Sequence, residues 1–112
     1  MLIRNLKDSL QGKAKIGNLR SKKWPTVRKN HLKNNPVCAA CGGSKKLEVH
    51  HIIPFQENPN LELDQNNLIT LCESKSFGVV CHLHYGHLGD YKRVNPDVVQ
   101  DSCIWRKKLA KN

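Results

Sequence analysis

Cysteine and histidine are the residues in this chain whose types and spacing can do chemistry. Cys38 and Cys41 stand two residues apart in the stretch CAACGG, and Cys72 and Cys81 follow much further along. A Cys-x-x-Cys pair in a tight, glycine-bearing turn can offer both sulfurs to one ion. Zinc takes four thiolates tetrahedrally at about 2.3 Å, and a structural site leaves no open position. The second half is wide, because eight residues separate Cys72 from Cys81, so the connector must loop out. The alternatives are disulfides or a redox pair. A redox pair opens a helix in a βαβ context, and that context is missing. Four thiols in this pattern are expected to hold a structural Zn²⁺ whose loss unfolds the domain, since binding energy in such sites is folding energy. Cys103 is left over and is expected to serve as a small apolar residue on the last helix.

The second constellation is imidazole. The stretch LEVHHII sets His50 and His51 side by side at the end of an alternating apolar segment, and CHLHYGH adds His82, His84 and His87. One histidine in such a segment could be a tolerated core residue, but an adjacent pair asks for a role. Histidine is neutral for the most part at pH 7, so it can accept a proton or ligate a metal. His82, directly after Cys81, is also a rival zinc ligand in a site of three cysteines and one histidine, with Cys72 or Cys81 dropping out. His31 is expected on a helix surface or in partial core, and His84 is expected to be exposed.

The elements that must position these groups read as follows. Residues 21–34 form a helix, with Pro25 in its first turn and Trp24, Val27, His31 and Leu32 near one stripe. Pro36 ends it. Lys46 through His51 alternates and reads as a strand, with Leu47 and Val49 on one side. Residues 55–67 form a polar loop anchored by Phe55, Leu61 and Leu63. LITLC (68–72) is a second short strand, and 73–80 is a connector. Residues 81–93 read as helical, weakened by Gly86 and Gly89. Asn95-Pro96 opens a last helix through Val98, Ser102, Trp105 and Leu109, with asparagine as cap.

The bulk properties point to a partner. Of 112 residues, 38% are hydrophobic, which leaves a thin core in need of a staple. Net charge is +10, and residues 1–33 hold ten Lys/Arg against the single acid Asp8. Such asymmetry suggests a polyanion, although a solvated basic tail is the plain alternative. The start MLIRNLKDSLQGK has no apolar h-region, and no segment approaches the roughly 20 apolar residues of a membrane span. A cytosolic location without membrane attachment is therefore expected, where cysteines serve metals more often than disulfides.

The order of these motifs is specific: CxxC, a strand ending in His-His, a loop, Asn-Leu, a strand ending in Cys, then Cys-His opening a helix. In this the chain resembles the HNH endonucleases over residues 21 to about 97, and it is most similar to their zinc-containing, phage-type branch. That branch carries a helix like Trp24 to Arg28 before the first thiols, and motifs like Gly86-His87 and Asn95-Pro96-Asp97 after the last. The resemblance implies an α+β fold: a small single domain with a ββα-metal (His-Me finger) core, flanking helices and a four-cysteine zinc site. Residues 1–20 would be a basic arm, 21–97 the nuclease domain, and 98–112 a C-terminal helix and basic tail.

The resemblance also implies roles. His51 matches the general base, and Asn67, before Leu68, matches the central asparagine that holds His51 and the strands in place. Asn66 competes for that role. His50 and His82 match ligands of a catalytic divalent cation (Mg²⁺, Mn²⁺, Ni²⁺ or Zn²⁺). The family often has one more histidine about a turn beyond His82. Here i+4 is Gly86 and His87 is i+5, which an ideal helix does not place on the same face. Gly86 could permit a local distortion, and His87 is favoured over His84 or a water. Consecutive strand side chains diverge, so His50 and His51 can serve two sides of one phosphate. His51 would take the proton from water while the ion stabilises the departing 3′ oxygen, leaving 5′-phosphate and 3′-hydroxyl ends.

The implied substrate is DNA, expected to be double-stranded and bound with low sequence specificity. Lys13, Lys15, Arg20, Lys22, Lys23 and Arg28 are expected to contact phosphates, which position a protein without reading sequence. The phage-type likeness implies a DNA-packaging or restriction-like setting and larger machinery as a partner. The competing readings are a zinc-stabilised nucleic-acid-binding module without catalysis and an adaptor that docks through the last helix.

Overall fold

The computed structural model describes residues 20–111. Lys13 and Lys15, with nearly all of the basic arm, lie outside that range. The architecture is a small α+β unit built on a two-stranded sheet.

Helix α1 (Trp24–Asn34) begins three residues later than the sequence pattern suggests, with Pro25 in its first turn. Proline suits that place because the amide it lacks would have no intrahelical partner there. Strand β1 (Leu47–His51) pairs antiparallel with β2 (Leu68–Cys72), and the register sets His51 opposite Leu68, His50 opposite Ile69 and Leu47 opposite Cys72. Lys46 has φ 52°, so the strand starts at Leu47 instead of one residue earlier. All of β2 is buried. That explains its mostly apolar run, with the buried Thr70 hydroxyl satisfied by the Asn35 carbonyl at 3.0 Å, where a half-exposed strand would alternate.

The loop between the strands is well anchored. Phe55 is buried, and Asn58 and Asp64 each accept a backbone N–H two residues on, at 3.1 and 2.9 Å. Buried Glu62 accepts the Ser21 N–H at 3.1 Å and lies 3.9 Å from Arg20, tying the loop to the approach of α1.

The connector after β2 is a hairpin, β3 (Lys75–Ser76) with β4 (Val79–Val80). Its turn residues Phe77 and Gly78 both have positive φ, 51° and 85°. This is the backbone twist that two-residue hairpins favour, although Phe is an unusual residue to supply it. A short wide helical turn follows over His82–Gly86, with π-type geometry. The chain then leaves the helix, so residues 88–93 are turns where the sequence suggests continued helix.

Helix α2 spans Val98–Ala110. It starts later than the Asn95-Pro96 pattern suggests, because Asn95 has other work. Its side chain accepts the Asp97 N–H at 2.9 Å and donates to the Tyr85 carbonyl and to Asp101 Oδ2, both at 2.8 Å. Asn95 therefore clamps the wide turn to α2 instead of capping the helix. Cys103 lies on α2, the last helix, as expected, and is exposed there.

The core is small: Cys38, Ala40, Ile69, Leu71, Cys72, Cys81 and Val98 form its buried centre. Three of these seven are cysteines of the thiol cluster, so whatever those sulfurs hold is central to the fold. Arg106 on α2 donates to the Cys38 carbonyl at 3.2 Å and packs over Gly42. Gly42 has φ +79°, a backbone conformation that favours glycine, and a Cβ there would meet the Arg106 guanidinium at 3.1 Å, so that side chain would have to shift slightly.

Candidate active site

The thiols of Cys38, Cys41, Cys72 and Cys81 converge, with all four sulfurs within 4.8 Å of one another. Cys41 Sγ lies 3.7 Å from Cys72 Sγ. Zinc–sulfur bonds of about 2.3 Å give a tetrahedral edge of about 3.8 Å, so this spacing fits an ion at the centre. The electrostatics agree. The neighbouring Cys81 thiol holds Cys38 down at about 4 against the effect of burial. Cys81 is pushed strongly up, first by its hydrogen bond to Cys38 and then by burial, and burial also raises Cys72. Four sulfurs this close cannot all ionise without a cation among them. The knuckle is shaped by backbone N–H groups, Cys41 to the Cys38 sulfur and Gly43 to the Cys41 sulfur. His82 takes no part in this cluster, so the described geometry is that of a set of four cysteines.

A second cluster stands beside it. His50, His82 and His87 offer ring nitrogens that also lie within 4.8 Å of one another. His50 projects from β1, while His82 and His87 come from the two ends of the wide turn. An α-helix would rotate residues five apart onto different faces, but a π turn closes its hydrogen bonds over five residues and brings them into line. Their Nε2 atoms are 3.2 Å apart. Gly86 makes room: a Cβ there would fall 3.1 Å from the His50 ring and 3.2 Å from His82 Cδ2. His84 is exposed and is not a member of the cluster.

Hydrogen bonds set the tautomers. His82 Nδ1–H donates to Glu73 Oε1 at 2.5 Å, and His87 Nδ1–H donates to the Arg93 carbonyl at 2.8 Å. In the neutral rings both Nε2 atoms then carry lone pairs, aimed at each other. His50 Nδ1 lies 3.1 Å from His82 Nε2. Burial, reinforced by the neighbouring histidines, lowers the His50 pKa to about 3, so this ring stays neutral. Converging lone pairs on neutral imidazoles fit a divalent cation. His50, His82 and His87 would hold it.

Two groups that the sequence did not single out support this cluster. Glu73 follows Cys72 directly, and Tyr91 donates its hydroxyl to Glu73 at 2.7 and 2.6 Å. Burial pushes the Glu73 carboxyl up, but the hydrogen bonds from Tyr91 and His82 outweigh it and hold the group below its usual value. Tyr91 is pushed up to about 12 by the same bond, so it remains a donor. The adjacency of Glu73 to a cysteine is visible in the sequence, but its approach to His82 depends on the hairpin that folds between them.

His51 faces the other side of β1. Its Nε2–H donates to the Glu62 carbonyl at 3.0 Å, which leaves Nδ1 free to accept a proton. Its ring packs against Trp24, with centroids 4.6 Å apart and the planes inclined by 35°. Burial lowers its pKa, partly offset by the bond to Glu62. Asn67 is buried, and its side-chain hydrogen bonds go elsewhere than His51. Its Oδ1 accepts the Ile53 N–H at 2.8 Å, and its Nδ2 donates to the carbonyls of Ile53 and Leu61 at 3.0 and 3.2 Å. It thus pins the loop whose Glu62 carbonyl orients His51. Asn66 is exposed and makes none of these bonds.

A cleft of about 540 Å³ opens on His50, His51 and His87, with Arg20, Lys92 and Tyr91 among its other walls and no carboxylate among its lining residues. Lys22 and Lys23 are exposed near its Arg20 side in sequence. Arg28 is turned to Glu48 at 3.4 Å, and Arg20 stacks on Phe55 with its guanidinium 4.7 Å from the ring. His31 is buried, with Nδ1 2.9 Å from Gln65 Oε1, away from both clusters. Among the described residues, no helix is long and apolar enough to cross a membrane.

No curated protein and no solved structure gives a significant match to the chain. Residues 38–87, the segment that supplies every member of both clusters, match the family model of the HNH endonucleases, so this part of the chain is similar to an HNH endonuclease domain.

Proposed function

We propose that the protein is a metal-dependent DNA endonuclease that hydrolyses phosphodiester bonds, with the β1–β2 hairpin and the wide turn as its ββα-metal core. The observation that carries this reading is the division of labour along β1. His50 joins His82 and His87 on one side, while His51 stands on the other with its proton-accepting nitrogen fixed by the Glu62 carbonyl.

In this reading His51 Nδ1 takes a proton from the attacking water, a contribution of about 10²–10⁴-fold for such a base. Trp24 and the Glu62 carbonyl hold the ring in one orientation. Asn67 acts as a positioning residue through the loop it pins. His50, His82 and His87 would hold a divalent cation, which when bound would supply Lewis-acid stabilisation of the phosphate and of the leaving 3′ oxygen. Arg20 and Lys92 border a cleft without acids, which suits a phosphodiester backbone. The thiol cluster holds Zn²⁺ as a structural ion. Phosphate contacts from the basic surface give affinity with little sequence preference. Double-stranded DNA in a packaging or restriction-like setting is the context in which such a nuclease fits.

The test is nicking of supercoiled plasmid with Mg²⁺, Mn²⁺ or Ni²⁺ by wild type and His51→Ala. Cleavage by wild type that is lost in the variant is expected. Equal inactivity across all ions, with DNA still bound, would make the domain a zinc-stabilised binding module.

A further inference from the structure

The eight residues between Cys72 and Cys81 place a carboxylate where the imidazole cluster needs one. Glu73 is the first residue after Cys72, and His82 is the first after Cys81. The hairpin β3–β4 turns the chain back between them, so two neighbours of thiol ligands meet: Glu73 Oε1 and His82 Nδ1 lie 2.5 Å apart. Tyr91 reaches the same carboxylate with its hydroxyl, at 2.7 and 2.6 Å to the two oxygens. The Tyr91 ring also stands edge-on to His82 and tilted to His87, at centroid distances of 5.7 and 5.1 Å.

We propose that Glu73 is a positioning residue for His82, locked by Tyr91, and that the pair sets the affinity of the imidazole cluster for its divalent ion. This rests on the nuclease reading of that cluster. A carboxylate that accepts from Nδ1–H fixes the ring's tautomer, points Nε2 at the ion and raises its basicity. Without the acceptor, His82 can rotate or adopt the other tautomer, with its proton on the ligating nitrogen. Tyr91 matters because Glu73 is half-exposed and could otherwise swing into solvent. Since Glu73 and His82 each abut a thiol ligand, their separation is set by the sulfur cluster, and the two centres are mechanically joined at this contact.

The experiment is titration of zinc-loaded protein with Mn²⁺, followed by calorimetry and electron paramagnetic resonance, with His82→Ala as the reference for loss of the site. Glu73→Leu is expected to raise the Mn²⁺ dissociation constant about 10–100-fold, the usual range for loss of such an outer partner. Glu73→Gln, which keeps an acceptor, and Tyr91→Phe are expected to raise it several-fold, with zinc stoichiometry unchanged in all three. Wild-type Mn²⁺ binding that His82→Ala abolishes but a folded Glu73→Leu leaves untouched would overturn this inference alone. Should Glu73→Leu fail to fold, the Gln and Phe variants decide: a several-fold rise supports the positioning role and no change overturns it. Absence of Mn²⁺ binding by wild type would sink the nuclease reading together with the inference.

Discussion

His82 and His87 stand five residues apart, yet their Nε2 atoms lie 3.2 Å from each other. The π turn between them accomplishes this, and Gly86 is what the turn can close upon, since a Cβ there would meet the His50 ring at 3.1 Å. Gly86→Ala is therefore expected to force His50 and His82 apart. Overpacking of this kind costs about 1–3 kcal/mol. The variant should keep zinc, melt lower than wild type and lose Mn²⁺ binding, which thermal melts and calorimetry would read. Unchanged Mn²⁺ affinity would show that the turn is not what assembles the site.

His51→Ala separates catalysis from folding. The ring contributes one tilted contact with Trp24 and one bond to the Glu62 carbonyl, neither of which holds the sulfur-centred core. Plasmid cleavage should drop by about 10²–10⁴-fold, while zinc content and far-UV circular dichroism stay as in wild type. A variant that loses zinc along with activity would mark the residue as structural.

The pH profile follows from the same residue. Burial lowers the His51 pKa, so the neutral base persists to lower pH than it would in the free side chain. A base works only in its deprotonated form, so the rate should fall as pH drops through this lowered pKa. At saturating metal the acid limb of kcat/KM should lie below 6.5, the ordinary histidine value. A limb at or above that value would mean that another group governs proton removal.

Removal of the thiol-bound ion should have a different consequence. Structural zinc binding is worth about 10–16 kcal/mol, as much as or more than the entire stability of a small domain. With Cys38, Cys72 and Cys81 in the centre of the core, Cys41→Ser or a strong chelator should abolish cooperative melting. A chelated protein that still melts cooperatively near the wild-type temperature would assign folding to the apolar residues.

Much of the site is legible in the sequence because ligand spacing encodes it. Cys38-x-x-Cys41 needs only a turn, and the alternation through Leu47 and Val49 sends His50 and His51 to opposite sides of a strand whatever the rest of the fold does. The placement of His87 is harder, because a periodicity of 3.6 puts i+5 on the wrong face and only the wide turn at Gly86 rescues it. The Asn95 clamp escapes sequence reading for a related reason. An asparagine before a proline looks like a helix cap, but here its amide is drawn to the Tyr85 carbonyl, and the helix waits until Val98. Glu73 stands visibly beside Cys72, but its value and that of Tyr91 lie in a contact across eighteen residues, which has no local signal. The hairpin is hidden because its turn uses Phe77 at positive φ, where sequence rules look for Gly or Asn.

Two separate metal centres in one small chain are the central claim, and a crystal of the zinc-loaded protein soaked in Mn²⁺ tests it most directly. Anomalous scattering at the zinc and manganese edges should show zinc within the sulfurs of Cys38, Cys41, Cys72 and Cys81, and manganese between His50, His82 and His87. A single metal peak shared by cysteine and histidine ligands, with nothing between the three imidazoles, would contradict the account.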